Sequence, residues 1–228
     1  MIQPIRAVCF DLDDTLYPQS SWLAGAWDAV TTRAARGGID AAGLREALDE
    51  CAGQGSDGGR IIDRALALVG AHGVEVGPLV NAFRSYAPEH LDLYAGAGEA
   101  LTRIAARVPL GLISDGDPQI QRTKMAALGI ERLFSVVVWS DDHGREHRKP
   151  DPLPFQVAVE ALGVPAANVV YIGDRPAKDV AGAVAAGLPA IRVRTGEWAS
   201  ARDDPRAEQS CADVVEAIDA LLTRLGPR

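Results

Sequence analysis

Apolar residues in this chain gather in short unbroken runs that stop abruptly at acidic or hydroxyl residues. Ile5, Ala7, Val8 and Phe10 make the first run. A continuous apolar stretch of that length predicts a strand buried on both faces of a parallel sheet. Runs at 110–113, 136–139 and 169–172 have the same character, and 190–193 reads as a fifth strand. Between them lie segments with helical spacing. Residues 119–128 stop at Gly129, 153–162 are entered through Pro152 and stop at Gly163, and 180–186 stop at Gly187. A last amphipathic helix is expected over 213–225. Strand and helix in regular alternation predict an α/β fold, a Rossmann-like parallel sheet joined by right-handed crossovers.

The segment 17–93 breaks that rhythm. It is rich in Ala, Leu and Arg at helical spacing over 22–36, 41–51, 60–71 and 78–86, with turns at Gly37-Gly38, 53–59 and Gly73. The expected organisation is therefore a catalytic core of 1–16 and 94–228 with an α-helical insert of 17–93. The glycine-rich stretch 53–59 has neither the Gly-Lys-Ser/Thr ending nor the preceding strand of a phosphate-cradling loop, so it is read as a connector.

Composition narrows the class. With 228 residues, 47% of them hydrophobic and 24% charged, the chain can bury a substantial core. No apolar stretch approaches the roughly 20 residues that span a bilayer. Met1-Ile2-Gln3-Pro4 leads straight into the first strand, which leaves no room for a signal peptide. Cys9, Cys51 and Cys211 are too scattered for a disulfide framework. These features predict a cytoplasmic protein, with monomer and homodimer both open. The net charge of −8 argues against nucleic acid as a partner but leaves room for a small phosphorylated metabolite in a local cleft.

The candidate chemistry sits where the strands end. The first run ends in Asp11-Leu12-Asp13-Asp14-Thr15, the second in Ser114-Asp115-Gly116, and the fourth in Gly173-Asp174 with Asp179 five residues on; Lys149-Pro150 follows the third. In a parallel sheet these positions fall at one edge, where open α/β sheets bind their ligands. Carboxylates with little His or Cys suit a hard, oxygen-preferring cation such as Mg²⁺. Mg²⁺ beside Lys149 makes a place for a dianionic phosphoryl group, and Ser114 can donate to its oxygens. One carboxylate can attack phosphorus, and a second can move protons to the leaving group and from water. The cation and Lys149 are expected to keep Asp11 ionised, whereas crowding and partial burial are expected to raise the pKa of Asp13.

These motifs, in this order, resemble those of the haloacid-dehalogenase superfamily in its phosphatase branch. Asp11-x-Asp13-x-Thr15 is similar to the first motif, Ser114 to the second, Lys149 to the third, and Gly173-Asp174-x₄-Asp179 to the fourth. The resemblance spans nearly the whole chain, the insert corresponding to a helical cap. It implies Asp11 as nucleophile and Asp13 as acid/base with its backbone carbonyl on Mg²⁺. It further implies Asp174 as a metal ligand, Asp179 as ligand or support, and Thr15 as fixing the first motif. Dehalogenases of the superfamily lack the Asp at the position of Asp13, so phosphate-ester hydrolysis through an aspartyl-phosphate is favoured over C–halogen cleavage. A sugar phosphomutase and a non-catalytic phosphate-binding protein are the alternatives. Relatives often carry Asn where this chain has Asp115, which is expected to point away from phosphate or to bind a substrate hydroxyl.

Other polar groups read more plainly. Asp141, Asp142, His143 and His147 could suggest zinc, but Gly144 breaks the helical geometry that such spacing needs, and a polar loop leading to Lys149 is the better reading. Asp14 is expected to face away. Among the aromatic and basic residues of the insert, Trp22 is nearest the first motif and is the expected substrate contact, with Gly116 and Thr15 beside it as candidate binding residues. The other insert aromatics are expected to pack.

Overall fold

The computed structural model describes residues 4–55 and 59–227; residues 56–58 of the expected glycine-rich connector, the first three residues and the last lie outside it. The chain divides into two compact units, Met1–Gln19 with His90–Arg228, and Ser20–Glu89.

The larger unit is a parallel six-stranded sheet in the order β3-β2-β1-β4-β5-β6. Its strands are β1 (Ala7–Phe10), β2 (Leu110–Ser114), β3 (Val136–Trp139), β4 (Val169–Gly173), β5 (Ala190–Val193) and β6 (Gln209–Cys211). The first, second, fourth and fifth are wholly buried, as the apolar runs of the first three require, and Arg192 of β5 is buried with them. Side chains alternate between the faces, so Ala7 and Cys9 of β1 share a cluster with Phe155, Ala158, Val180 and Ala183. Register fixes the functional edge. Phe10 pairs with Leu112 on one side and Ile172 on the other, and Ser114 pairs with Trp139. The residues just past Phe10 and Ile172 therefore emerge together with Ser114.

In the smaller unit, α1 (Gln19–Ala35), α2 (Ala41–Gly53), α3 (Ile61–Leu68) and α4 (Gly77–Arg84) are the described helices, α1 starting one residue inside the larger unit. Asp40 caps α2 by accepting from the backbone N–H groups of Ala42 and Gly43. Trp27, Val30, Leu44, Leu48, Ile62, Leu66 and Leu79 form its core. The larger unit adds α5 (Ala97–Ala105), α6 (Pro118–Leu128), α7 (Leu153–Leu162), α8 (Ala181–Ala185) and α9 (Val214–Leu225).

Two elements escaped the sequence pattern. Strand β6 is three residues of mixed polarity, too short to show a period, and it forms only by pairing with β5. Helix α5 is likewise not signalled by any strong stop. The expected helix over 180–186 begins instead as a π-helical turn, Pro176–Val180, which carries Asp179. Among the described residues, no helix is long and apolar enough to cross a membrane.

Candidate active site

At the carboxyl edge of the sheet, the backbone N–H of Asp11 still donates to Ile172 at 2.9 Å, so the first carboxylate leaves a strand that is pinned on both sides. Asp11, Asp174 and Asp179 converge there, all buried, each with an oxygen within 4.8 Å of the others. Among the described residues this trio is the acidic, His or Cys group close enough to share an ion. Both carboxylate oxygens of Asp174 are buried without a hydrogen-bond partner. Leaving buried acceptors unmet costs about 1–3 kcal/mol, more for a charged group, so a hard cation fits this oxygen-only set.

Lys149 is the counter-charge. Its ammonium, 4% exposed, bonds Asp11 and lies 2.7 Å from Asp179 and 3.2 Å from the Tyr171 hydroxyl. Burial pushes the lysine down, but the Asp11 and Asp179 charges outweigh that and hold it well above its ordinary value. Asp179 also accepts from the Arg175 backbone at 2.9 Å. Burial raises Asp179, yet Lys149 and that bond bring it below the ordinary carboxylate value. For Asp174 the Arg175 guanidinium, 3.9 Å away, is too weak a compensation: burial, then the Asp179 and Asp11 charges, raise it well above 3.8.

The protonation expectation for Asp13 is reversed, whereas that for Asp11 supposed a bound cation and the values here are those of the cation-free site. Burial, opposed by Lys149 but reinforced by Asp179 and Asp13, pushes Asp11 up to about 7. Asp13 is lowered, because the Lys124 charge and hydrogen bonds from Lys124, Tyr17 and Gln121 outweigh its burial. Sequence reasoning missed those three partners. Lys124 Nζ lies 2.8 and 2.9 Å from the two Asp13 oxygens, and Gln121 Nε2 lies 2.8 Å from Oδ2. The Tyr17 hydroxyl donates to Oδ1. The same Gln121 nitrogen contacts Ser114 Oγ at 2.7 Å and the Asp115 carbonyl at 3.0 Å.

The remaining expected residues take supporting places. Thr15 is fully buried with its hydroxyl 3.4 Å from Asp11 Oδ2, so it braces the carboxylate and has no surface for substrate. Asp115 is engaged by the protein through one oxygen, while its Oδ2 is buried without a hydrogen-bond partner. Its Oδ1 accepts from Ser140 Oγ at 2.7 Å and from the Lys149 backbone at 3.1 Å, which ties the second motif to the third. Gly116, at φ +118°, gives its backbone N–H to Asp141. Asp141 in turn is paired to Arg148 through both oxygens, which makes this stretch a structured polar loop in place of a zinc site. Asp14 is more than a bystander. Its carboxylate accepts from the backbones of Gln19 and Glu197, at 2.9 and 3.2 Å, and its own carbonyl accepts from Thr195. Trp22 is 1% exposed and packs edge-on against Phe83, with ring centroids 5.1 Å apart. It is core of the helical unit, because an aromatic at helical spacing finds apolar neighbours first.

Known proteins resemble this chain in sequence and fold. Residues 5–187 match the model of the haloacid dehalogenase-like hydrolases. The chain is 34% identical to glyceraldehyde 3-phosphate phosphatase of Methanopyrus kandleri over 222 residues, covering 92% of this chain and 91% of that one. It is 32% identical to phosphoglycolate phosphatase of Yersinia pestis over 200 residues, covering 84% and 82%. Among solved structures, a 2-haloacid dehalogenase from Pseudomonas syringae superposes with a TM-score of 0.67 at 24% identity, covering 96% of this chain and 99% of that one. A HAD phosphatase from Thermococcus onnurineus does so at 0.64 and 23%, covering 97% and 98%. These likenesses show the shared fold, and fold alone does not fix the chemistry. By its motifs, its fold and its matched length, the chain belongs to the haloacid dehalogenase-like hydrolases.

Proposed function

We propose that this hydrolase is a Mg²⁺-dependent phosphatase that cleaves a small phosphate monoester through an aspartyl-phosphate on Asp11. The observation that carries the reading is the grouping of Asp11, Asp174, Asp179 and Lys149 at one sheet edge, with Asp13 two residues from Asp11 and paired to Lys124. The names of the relatives, phosphatases of glyceraldehyde 3-phosphate and phosphoglycolate, support the same bond type.

Asp11, Asp174 and Asp179 would hold the cation, with the Asp13 carbonyl as a further donor. Bound there, Mg²⁺ neutralises charge on the phosphoryl oxygens and favours the ionised form of Asp11. Asp11 attacks phosphorus, and the bond to the leaving oxygen breaks. Lys149 holds Asp11 in line and offsets the phosphoryl charge. Ser114, accepting from Gln121, keeps its own hydrogen to donate to a phosphoryl oxygen. Asp13 takes a proton from the water that attacks phosphorus, and the carboxyl so protonated gives that proton to the leaving oxygen of the next turnover. The helical unit 20–89 is the cap in this reading, contributing leaving-group selection and exclusion of bulk water.

Phosphate release from a panel of phosphorylated metabolites, with and without Mg²⁺, tests the proposal, with Asp11→Asn as control. Release that needs both the cation and Asp11 is expected. Turnover that survives chelation or Asp11→Asn would remove it.

A further inference from the structure

The chain has three lysines in 228 residues, Lys124, Lys149 and Lys178. Each meets an aspartate of the candidate site: Lys124 meets Asp13, Lys149 meets Asp11 and Asp179, and Lys178 lies 3.8 Å from Asp115. Arginine supplies the other positive charges. A compact ammonium is thus found where a carboxylate of the site must be approached in a tight, buried space. Lys149 has a role in the motif set. Lys124 has none.

Lys124 stands on α6, three residues after Gln121, so the two side chains share a helix face that is otherwise core. Both are buried, at 3% and 1% exposure. Together with the Tyr17 hydroxyl they bring four donor contacts to the two oxygens of Asp13, as many as a carboxylate can accept. Gln121 also ties Asp13 to Ser114 through one amide nitrogen. Donors from two sides fix the direction in which this carboxyl faces.

We propose that Lys124 and Gln121 are positioning residues that hold Asp13 as the base for the second half of the reaction, an inference that rests on the phosphatase reading above. In that half, water oxygen bonds to phosphorus as the Asp11–phosphorus bond breaks. One water proton passes to the Asp13 carboxylate, Asp11 regains its carboxylate, and inorganic phosphate leaves. Removing the α6 donors lets Asp13 turn out of line and slows this half specifically.

The test uses 4-nitrophenyl phosphate, whose leaving group is a weak base and needs little help from an acid. For this ester kcat/KM reports formation of the phospho-enzyme, whereas a slowed second half lowers kcat and KM together. In Lys124→Met, kcat is expected to fall at least about tenfold, in keeping with the roughly 10²–10⁴-fold contribution of a positioned base. The same variant should keep kcat/KM within about threefold and give a burst of 4-nitrophenol equal to the enzyme present, the sign of an accumulating covalent intermediate. Gln121→Leu removes a single neutral donor and carries the same test if Lys124→Met fails to fold. Loss of kcat/KM in step with kcat, or unchanged kinetics, would overturn the inference. Absence of turnover in the wild-type protein would instead sink the phosphatase reading itself.

Discussion

At the scale of single residues, the site is a balance of buried charges. Lys149 offsets Asp11 and Asp179 in a space where none is more than 8% exposed on its side chain. Removing one partner from a buried pair strands the other and costs about 3–5 kcal/mol. Lys149→Met is therefore expected to lower the melting temperature markedly in thermal denaturation as well as to abolish turnover. An unchanged melt would show that Lys149 is not the counter-charge. The carboxylates and Lys149 were legible in the sequence because each stands at the end of an apolar run. Gln121, Lys124 and Tyr17 were not, since a polar residue on a helix looks solvated until its neighbours are known. The available signal was position: Lys124 falls on the same face as Ile120, Met125 and Leu128, which are all buried. Trp22 failed in the opposite direction, nearness in the chain standing in for exposure.

At the scale of elements, the β4–π-turn junction sets the metal site. A Cβ on Gly173 would lie 2.5 to 2.7 Å from the Asp179 side chain, too close for real atoms, so only glycine lets the π-helical turn bring Asp179 back against the strand end. Gly173→Ala is expected to displace Asp179 and weaken Mg²⁺ binding by about 10–100-fold, measured by titration calorimetry. Wild-type affinity in that variant would mean that Asp179 stands apart from the ion. The strands of the sheet except β6 were readable from their runs, as was their parallel arrangement. The π-turn was not, because its i to i+5 pattern arises from the fit of Asp179 between Lys149 and the Arg175 backbone, a tertiary cause. Asp14 likewise shows its use only once Thr195, Gly196 and Glu197 have returned from the far end of β5. A Cβ on Gly196 would overlap the Asp14 carboxyl carbon.

For the molecule as a whole, the raised Asp11 links stability to pH. The folded state favours its protonated form, up to about 7 against an ordinary 3.8, so its stabilising contribution is complete below the ordinary value and is lost as pH rises through 7. In chelator, the wild-type melting temperature is expected to drop between about pH 5 and pH 8. Asp11→Asn, which cannot ionise, should show a smaller drop over the same interval. A divalent ion, binding the ionised carboxylates and releasing protons, should restore the loss and bind more tightly as pH rises. Equal slopes for the two proteins would contradict the linkage. The claim on which the rest depends is covalent: phosphorus passes through Asp11. Rapid acid quench of the Mg²⁺-loaded protein during turnover of 4-nitrophenyl phosphate, followed by peptide mass spectrometry, tests it directly. A single phosphoryl group is expected on Asp11 and absent from Asp11→Asn, whereas a phosphoryl group on another residue, or phosphate release with no labelled peptide at any quench time, would contradict it.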